Sequence, residues 1–376
     1  MKLLHVYSGN LYGGVEAMLV VLARERATFP DLEPEFALCF EGRLARELRA
    51  CGATVHIVGA VRASRPGSVF RARRALRALL AERRPDFVMC HSSWAYSIFS
   101  PTARRAGYPV GFWLHDAVRG SHWTERWARI RTPDVVIYNS EFTGRTVKSV
   151  FAKARAELVH CPVSPPGSVE PDGRRAIRQE LGVAPETVVI VQVGRLERWK
   201  GHALLLHALG FLGDLPGWEC WIVGGAQRVL ERTYESQLRT LAVSRGVRTR
   251  VRFLGERDDV TRVLAAADIF CQPNAQAEPF GVAIIEALYA GLPVVATDMG
   301  GPSEILHGET CGVLVPPKQP QELANVLRAL VEHPDRRRAM GESGPARARA
   351  LCDPGAQLRR LHEVLAAVIA DRATAR

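Results

Sequence analysis

Short apolar runs along the chain alternate with longer stretches in which apolar side chains recur every three or four positions. Runs of the first kind suit buried strands, and stretches of the second kind suit helices that bury one face. "KLLHVYS" is followed by "GVEAMLVVLARER" and "ATVHIVG" by "RARRALRALLAERR", while "DFVMCH", "VGFWLH" and "DVVIYNS" lead to "FTGRTVKSVFA". This repeated strand-then-helix order predicts a parallel sheet flanked by helices, a Rossmann-like arrangement. From Cys161 to Gly173 proline and glycine accumulate and the periodicity stops, as in a linker. Beyond it "TVVIVQVG", "WECWIVG", "RVRFLG", "DIFCQP", "PVVATD" and "GVLVPP" predict a second sheet of the same kind. The final stretch places Leu358, Leu361, Leu365 and Val368 about one turn apart, which predicts a long closing helix.

The expected fold is therefore α/β, with two Rossmann-like domains facing across a cleft. Residues 1–164 form the first domain and 165–354 the second, with the helix 355–376 crossing back to the first. The length of 376 residues fits two cores better than one. Ligands are expected at the carboxyl ends of the parallel strands.

Composition narrows the picture only a little. Apolar residues make up 47% of the chain, which is globular material and excludes a disordered protein. The start, "MKLLHVYSGNLYGG", breaks at Ser8-Gly9-Asn10 and lacks the long apolar region of a secretory signal, and no stretch is long and apolar enough to span a membrane. A cytoplasmic protein is expected. Cys39, Cys90, Cys220 and Cys271 sit inside apolar runs without metal-ligand spacing, as reduced core thiols do. The net charge of +11 invites an anionic partner but does not choose among nucleic acid, acidic lipid and a phosphorylated small molecule.

Candidate chemistry lies at four places. In "SGNLYGGVEAML" a strand ends near Tyr7 and Gly13-Gly14 open a helix, so backbone N–H groups there could approach an anion; the spacing is not that of a dinucleotide fingerprint. In "VQVGRLERWKGH" Gly194 ends a strand, and Arg195 and Lys200 could converge on a diphosphate or simply be solvated cations. His115 closes the apolar strand of "FWLHDAVRG", with Asp116 beside it. In "AEPFGVAIIEALYAG" Glu278 is expected in a loop and Glu286 on the helix after it, among Ile284, Ile285 and Leu288. An unpaired buried carboxylate costs several kcal/mol, so Glu286 must meet a donor or a polar cavity. A carboxylate can accept from both hydroxyls of a vicinal diol, and two of them near a helix N-terminus describe a nucleotide sugar.

The segment Glu278 to Glu286 resembles the E-x7-E motif of retaining glycosyltransferases with the GT-B fold, and "EALYAGLPVVATDMGGPSEIL" is similar to family 4 of that group. "GRLERWKGH" is similar to the family's diphosphate loop and "YGGVE" to its amino-terminal glycine loop, so the resemblance runs through the whole chain in order. It implies that Arg195 and Lys200 neutralise the donor diphosphate, that Glu286 holds the ribose diol and that Glu278 holds sugar hydroxyls. Pro279, Phe280, Gly281 and Val282 would shape the sugar pocket, Gly13 and Gly14 would face phosphate and acceptor, and His115 would touch the transferred sugar. The base would lie near Gly194, Gly224, Glu256 and Arg257.

The implied reaction is hexosyl transfer with retention, by front-face attack, from a UDP-sugar or GDP-mannose to a hydroxyl of a glycan, glycolipid or small molecule. No cofactor is expected beyond the donor substrate, and no metal, because "ERDDVTR" carries adjacent Asp258 and Asp259 in place of a D-x-D motif. Acceptor candidates are Tyr12, Trp94, Asp116 and Trp123; Trp94 and Trp123, with Trp113 and Trp127, could stack on sugar faces or serve simply as core. The segment Val61 to Arg84 holds eight arginines against one glutamate, with Leu76, Leu79 and Leu80 on one side. That pattern suits either an anionic membrane or an ordinary sheet-packed helix. Two rival readings remain: a nucleotide-sugar epimerase of the same fold, and a non-catalytic anion- or nucleic-acid-binding module. The ordered cations and glutamates favour the transferase, with no nucleic-acid partner.

Overall fold

The computed structural model describes residues 1–167, 173–308 and 310–374. The linker read at 161–173 falls partly on 168–172, outside the described residues. Contacts divide the chain into one unit of Met1–Ser164 with Cys352–Arg376 and another of Pro165–Leu351.

The first unit is built on seven strands: β1 (Lys2–Tyr7), β2 (Glu33–Leu38), β3 (Thr54–Ile57), β4 (Phe87–His91), β5 (Val110–Leu114), β6 (Val135–Tyr138) and β7 (Ala156–Leu158). All pairings are parallel, in the order β3-β2-β1-β4-β5-β6-β7. Strands β4 and β5 are buried along their whole length, which explains their continuous apolar character: both faces are covered by helices. The sheet has two more strands than its apolar runs announce. Strand β2 opens with the polar "EPE", and β7 is a three-residue edge strand, so neither stands out from its neighbours.

In the helix Pro66–Arg83, Leu76, Leu79 and Leu80 are buried in the core beneath the sheet-facing side. They offer nothing to a lipid surface, and the ordinary sheet-packed reading is the observed one. The closing helix Pro354–Thr374 belongs to this unit. It buries Leu358, Leu361, Leu365 and Val368 and places Arg372 on Asp134 at 3.2 Å.

The second unit has six parallel strands: β8 (Val188–Val193), β9 (Trp218–Val223), β10 (Val251–Gly255), β11 (Ile269–Gln272), β12 (Val294–Thr297) and β13 (Gly312–Val315). Their order is β10-β9-β8-β11-β12-β13. In each unit the direction of strand succession reverses once, between β1 and β4 and between β8 and β11. The loops leaving those strands cannot cover the gap from the same side, so a crevice opens at the carboxyl ends. Gly13-Gly14 follow β1, Arg195 and Lys200 follow β8, and Glu278 follows β11. Among the described residues no helix is long and apolar enough to cross a membrane.

Candidate functional site

The second unit gathers its candidate residues by letting backbone touch backbone. Gly224, at φ +136, lies so close to the turn after β8 that a Cβ there would sit 2.0 Å from the Gly194 carbonyl oxygen. Gly201, at φ +76, would place one 1.7 Å from the Pro273 carbonyl oxygen, which locks the loop after β8 onto the end of β11. Only glycine accepts both the left-handed conformation and that contact. Gly201→Ala is therefore expected to destabilise the protein by about 3 kcal/mol or more. A urea midpoint equal to the wild type's would contradict the packing described.

That contact brings Lys200 to Glu278. The ammonium donates to Glu278 Oε2 at 2.6 Å, joined on the same oxygen by the amides of Gln272 at 2.9 Å and Asn274 at 2.6 Å. Glu278 is 7% exposed, so three donors on one oxygen answer the cost of burying its charge. Its loop is held by the Gly300-Gly301 turn: the Gly301 N–H donates to the Glu278 carbonyl at 2.8 Å, and a Cβ on Gly301 would lie 2.0 Å from the Phe280 carbonyl. The helix Val282–Tyr289 starts immediately after Gly281, at φ +118, two residues later than the expected start near Phe280.

Glu286 lies on that helix, half-buried, and no described residue donates a hydrogen bond to its carboxyl group. Removal from water pushes its pKa up to about 7.

Arg195 donates to Glu197 Oε2 at 3.0 Å, while its Nη1 stands 3.9 Å from Glu231 Oε1. Both of those atoms are buried and without a hydrogen-bond partner. Of the residues proposed near a base, Glu256 is exposed and has its Cβ 3.0 Å from the position a Gly225 Cβ would take. Arg257 is already committed, at 2.7 Å to each oxygen of Asp259 and at 2.8 Å to Glu180. Among the described residues no group of three or more His, Cys, Asp or Glu side chains is placed to hold a metal ion.

The first unit contains a feature that no signal in the single sequence points to. His5 on β1, His91 at the end of β4 and His115 after β5 form a chain of rings: His5 Nδ1 lies 2.8 Å from His91 Nε2, and His91 Nδ1 lies 2.8 Å from His115 Nε2. Phe36 stacks on His5, and Trp113 on His91 and His115. Burial pushes His5 and His115 down to about 3 and His91 well below its ordinary value, so all three are neutral at physiological pH. A neutral imidazole has one N–H, so the three tautomers must run in the same direction. The outer nitrogens, His5 Nε2 and His115 Nδ1, are buried without a partner.

Gly13 is the N-cap of the helix Gly14–Glu25, whose buried Glu16 accepts from the Tyr7 hydroxyl at 2.9 Å. Tyr12 donates to Glu47 and is covered by the Arg43 guanidinium, 3.9 Å from its ring centre. Asp116 and Trp123 are exposed, Trp94 is half-buried, and Trp113 is entirely core.

The chain is similar to known proteins over both units. Residues 12–165 match the model described as Glycosyltransferase Family 4, and residues 173–347 match that of Glycosyl transferases group 1. A GDP-mannose-dependent monoacylated alpha-(1-6)-phosphatidylinositol monomannoside mannosyltransferase of Corynebacterium glutamicum is 31% identical over 296 residues, 72% of this chain and 74% of that protein. The chain belongs to glycosyltransferase family 4. This family 4 enzyme is also 36% identical to a D-inositol 3-phosphate glycosyltransferase of Corynebacterium jeikeium, over 57% of the chain and 53% of that protein. Among solved structures, Anabaena Alr3699/HepE in complex with UDP-glucose superposes with a TM-score of 0.85 at 25% identity, covering 98% of this glycosyltransferase and all of that chain. Sucrose-phosphate synthase of Thermosynechococcus elongatus shares the fold, with a TM-score of 0.80 at 18% identity and coverage of 99% and 100%.

Proposed function

We propose that this glycosyltransferase moves a hexosyl unit from a nucleotide sugar to a hydroxyl acceptor, with retention of anomeric configuration and without a metal. The observation that supports this best is the half-buried Glu286 carboxyl with its raised pKa, to which no described residue donates, on the helix that starts just after the loop carrying the Lys200–Glu278 pair. In this reading Glu286 accepts from the ribose diol and Glu278 from sugar hydroxyls, while Pro279, Phe280, Gly281 and Val282 line the sugar. Arg195, whose buried Nη1 makes no hydrogen bond, and Lys200 take the diphosphate. Gly194, Gly224 and Glu256 lie towards the base; Arg257 would serve there through its ion pairs. In the first unit, Gly13 and Gly14 meet phosphate and acceptor, and the free nitrogen of His115 meets the transferred sugar. Tyr12, Trp94, Asp116 and Trp123 are the acceptor candidates.

The anomeric C–O bond to the diphosphate breaks as the acceptor oxygen forms a new bond on the same face. The acceptor proton passes to the leaving phosphate, whose developing charge the two cations stabilise. A nucleotide-sugar donor is supported by the UDP-glucose complex of Alr3699/HepE, and GDP-mannose by the name of the Corynebacterium glutamicum relative. The names of the relatives support an inositol- or sugar-containing acceptor, in cell-envelope glycoconjugate synthesis.

The test is a thermal-shift panel of UDP, GDP, ADP and their sugar conjugates. One preferred base should raise the midpoint by mass action, and Arg195→Ala should reduce that rise at least tenfold in apparent affinity. Turnover of the donor with no acceptor present would favour an epimerase. No shift with any nucleotide would defeat the proposal.

A further inference from the structure

The histidine chain of the first unit follows from the register of its sheet. His5 lies opposite Met89 and His91 opposite Trp113, so each histidine stands two residues beyond the position paired with the one before it. Side chains two apart on a strand share a face. The three rings therefore climb one face of the sheet as a diagonal, from His5 within β1 to His115 just past the carboxyl end of β5, where ligands of such sheets lie. Exposure rises only at the last step: His5 and His91 are 0% exposed and His115 6%.

Such a file of neutral rings has two alignments. With every ring protonated on Nε2 the hydrogen bonds run inward, and the terminal N–H is that of His5 Nε2. With every ring protonated on Nδ1 they run outward, and the terminal N–H is that of His115 Nδ1. Neither terminal nitrogen has a partner in the protein. The two alignments differ in what they leave at the buried end. Phe36 stacks on the face of His5, at an interplanar angle of 16°, and so offers its in-plane nitrogens no acceptor. An N–H sealed there would be an orphaned donor, which folded proteins avoid more strictly than an unused acceptor. At the outer end a ligand oxygen can accept from His115 Nδ1.

We infer that the outward alignment is the native one, with His91 as a positioning residue that fixes His115 as a hydrogen-bond donor through Nδ1. This rests on the reading in which His115 meets the transferred sugar, and adds what that contact demands. His91 donates from Nδ1 to His115 Nε2 at 2.8 Å, so His115 cannot move its own proton to Nε2 unless the whole file shifts. Trp113 stacks on both rings and keeps them from turning out of the bond. The outer contact is then an accepting oxygen. A sugar hydroxyl or ether oxygen suits it; a cationic amino group, which only donates, does not.

Isotopic labelling of the histidine nitrogens in the full chain reads the tautomer by magnetic resonance, because protonated and bare ring nitrogens resonate far apart. His5, His91 and His115 should each show a protonated Nδ1 and a bare Nε2. The preferred nucleotide sugar should move the Nδ1 signal of His115 without changing that pattern. His91→Phe keeps a ring in the stack but removes the donor: kcat/KM for the nucleotide sugar should fall about tenfold, the size of one lost hydrogen bond, while the thermal shift given by the nucleotide alone is unchanged. His91→Gln, whose amide both donates and accepts, should recover part of that loss. Protonated Nε2 atoms in His91 and His115 would overturn the inference, as would a folded His91→Phe protein with wild-type turnover. The wild-type spectrum decides the tautomer even where His91→Phe fails to fold. If no nucleotide shifts the midpoint, the donor reading fails, whereas the tautomer still stands or falls on the spectrum.

Discussion

Glu286→Gln is expected to lose nucleotide affinity and gain stability in the same molecule. Two charge-assisted hydrogen bonds to a diol contribute about 1.5–3 kcal/mol each, so their loss should weaken binding by roughly a hundredfold or more. Stability moves the other way because the native carboxyl has its pKa raised from 4.5 to about 7. Raised above its unfolded value, the group destabilises the native state increasingly as pH climbs from about 4.5 through about 7, where the buried form must ionise. The glutamine carries no such charge. At about pH 8 the variant should be more stable by about 2–3 kcal/mol, and at about pH 4.5 the advantage should vanish. Urea midpoints of both proteins across that range, with isothermal titration of the preferred nucleotide, measure the two effects. A variant that is less stable at high pH would mean Glu286 already has a partner.

The histidine chain makes the second large effect, with the opposite pH dependence. The native values of His5 and His115 are near 3, below the ordinary 6.5, and His91 is held well below it, by burial first and then by its two neighbours. Depressed in the native state, these groups leave stability intact above about pH 6.5 and remove it as pH falls toward the native values, because only the unfolded chain takes up the protons. Each contributes a slope of up to about 1.4 kcal/mol per pH unit, so the three approach about 4 kcal/mol per unit. His202, lowered to about 4 in the other unit, adds to the slope, whereas Glu286 offsets one proton between about 4.5 and 7. The Glu286→Gln protein should therefore show the steeper acid limb. Midpoints that stay level down to about pH 5, or imidazole resonances that titrate near 6.5, would contradict a neutral buried chain.

The parts of this architecture that are legible in one sequence are those whose cause is local. A strand buried on both faces, such as β4 or β5, is an apolar run, and eleven of the thirteen strands are visible as apolar runs even where, as in β3, β10 and β13, burial is partial; β2 and β7 are not, because one opens on polar residues and the other is a short edge. Glu286 was legible for the same reason, since a carboxylate in an apolar helix contradicts its own neighbourhood, and Glu278 stood out by its spacing from it. What remained hidden depends on strand order. His5, His91 and His115 are single histidines on three separate apolar runs, and only the β1-β4-β5 adjacency lines them up. Lys200 meets Glu278 for a similar reason: the pairing of β8 with β11 brings together positions 78 residues apart, whereas Gln272 and Asn274 reach the same oxygen from only six and four residues away. The orphaned Arg195–Glu231 approach is long-range in the same way.

The glycine contacts of the second unit bear on how this site can diverge. Arg195 and Glu286 can each be exchanged for another side chain with the framework intact, so a scan of all single substitutions should find variants there that fold well and work badly. Gly201, Gly224 and Gly301 have no such freedom, because backbone atoms occupy the space any side chain would need. In an abundance-based scan the deepest losses should fall on these three positions, which hold no reacting group. A new substrate preference could then arise by changing what projects from the loops, while the paths of the loops themselves stay closed to single-step change.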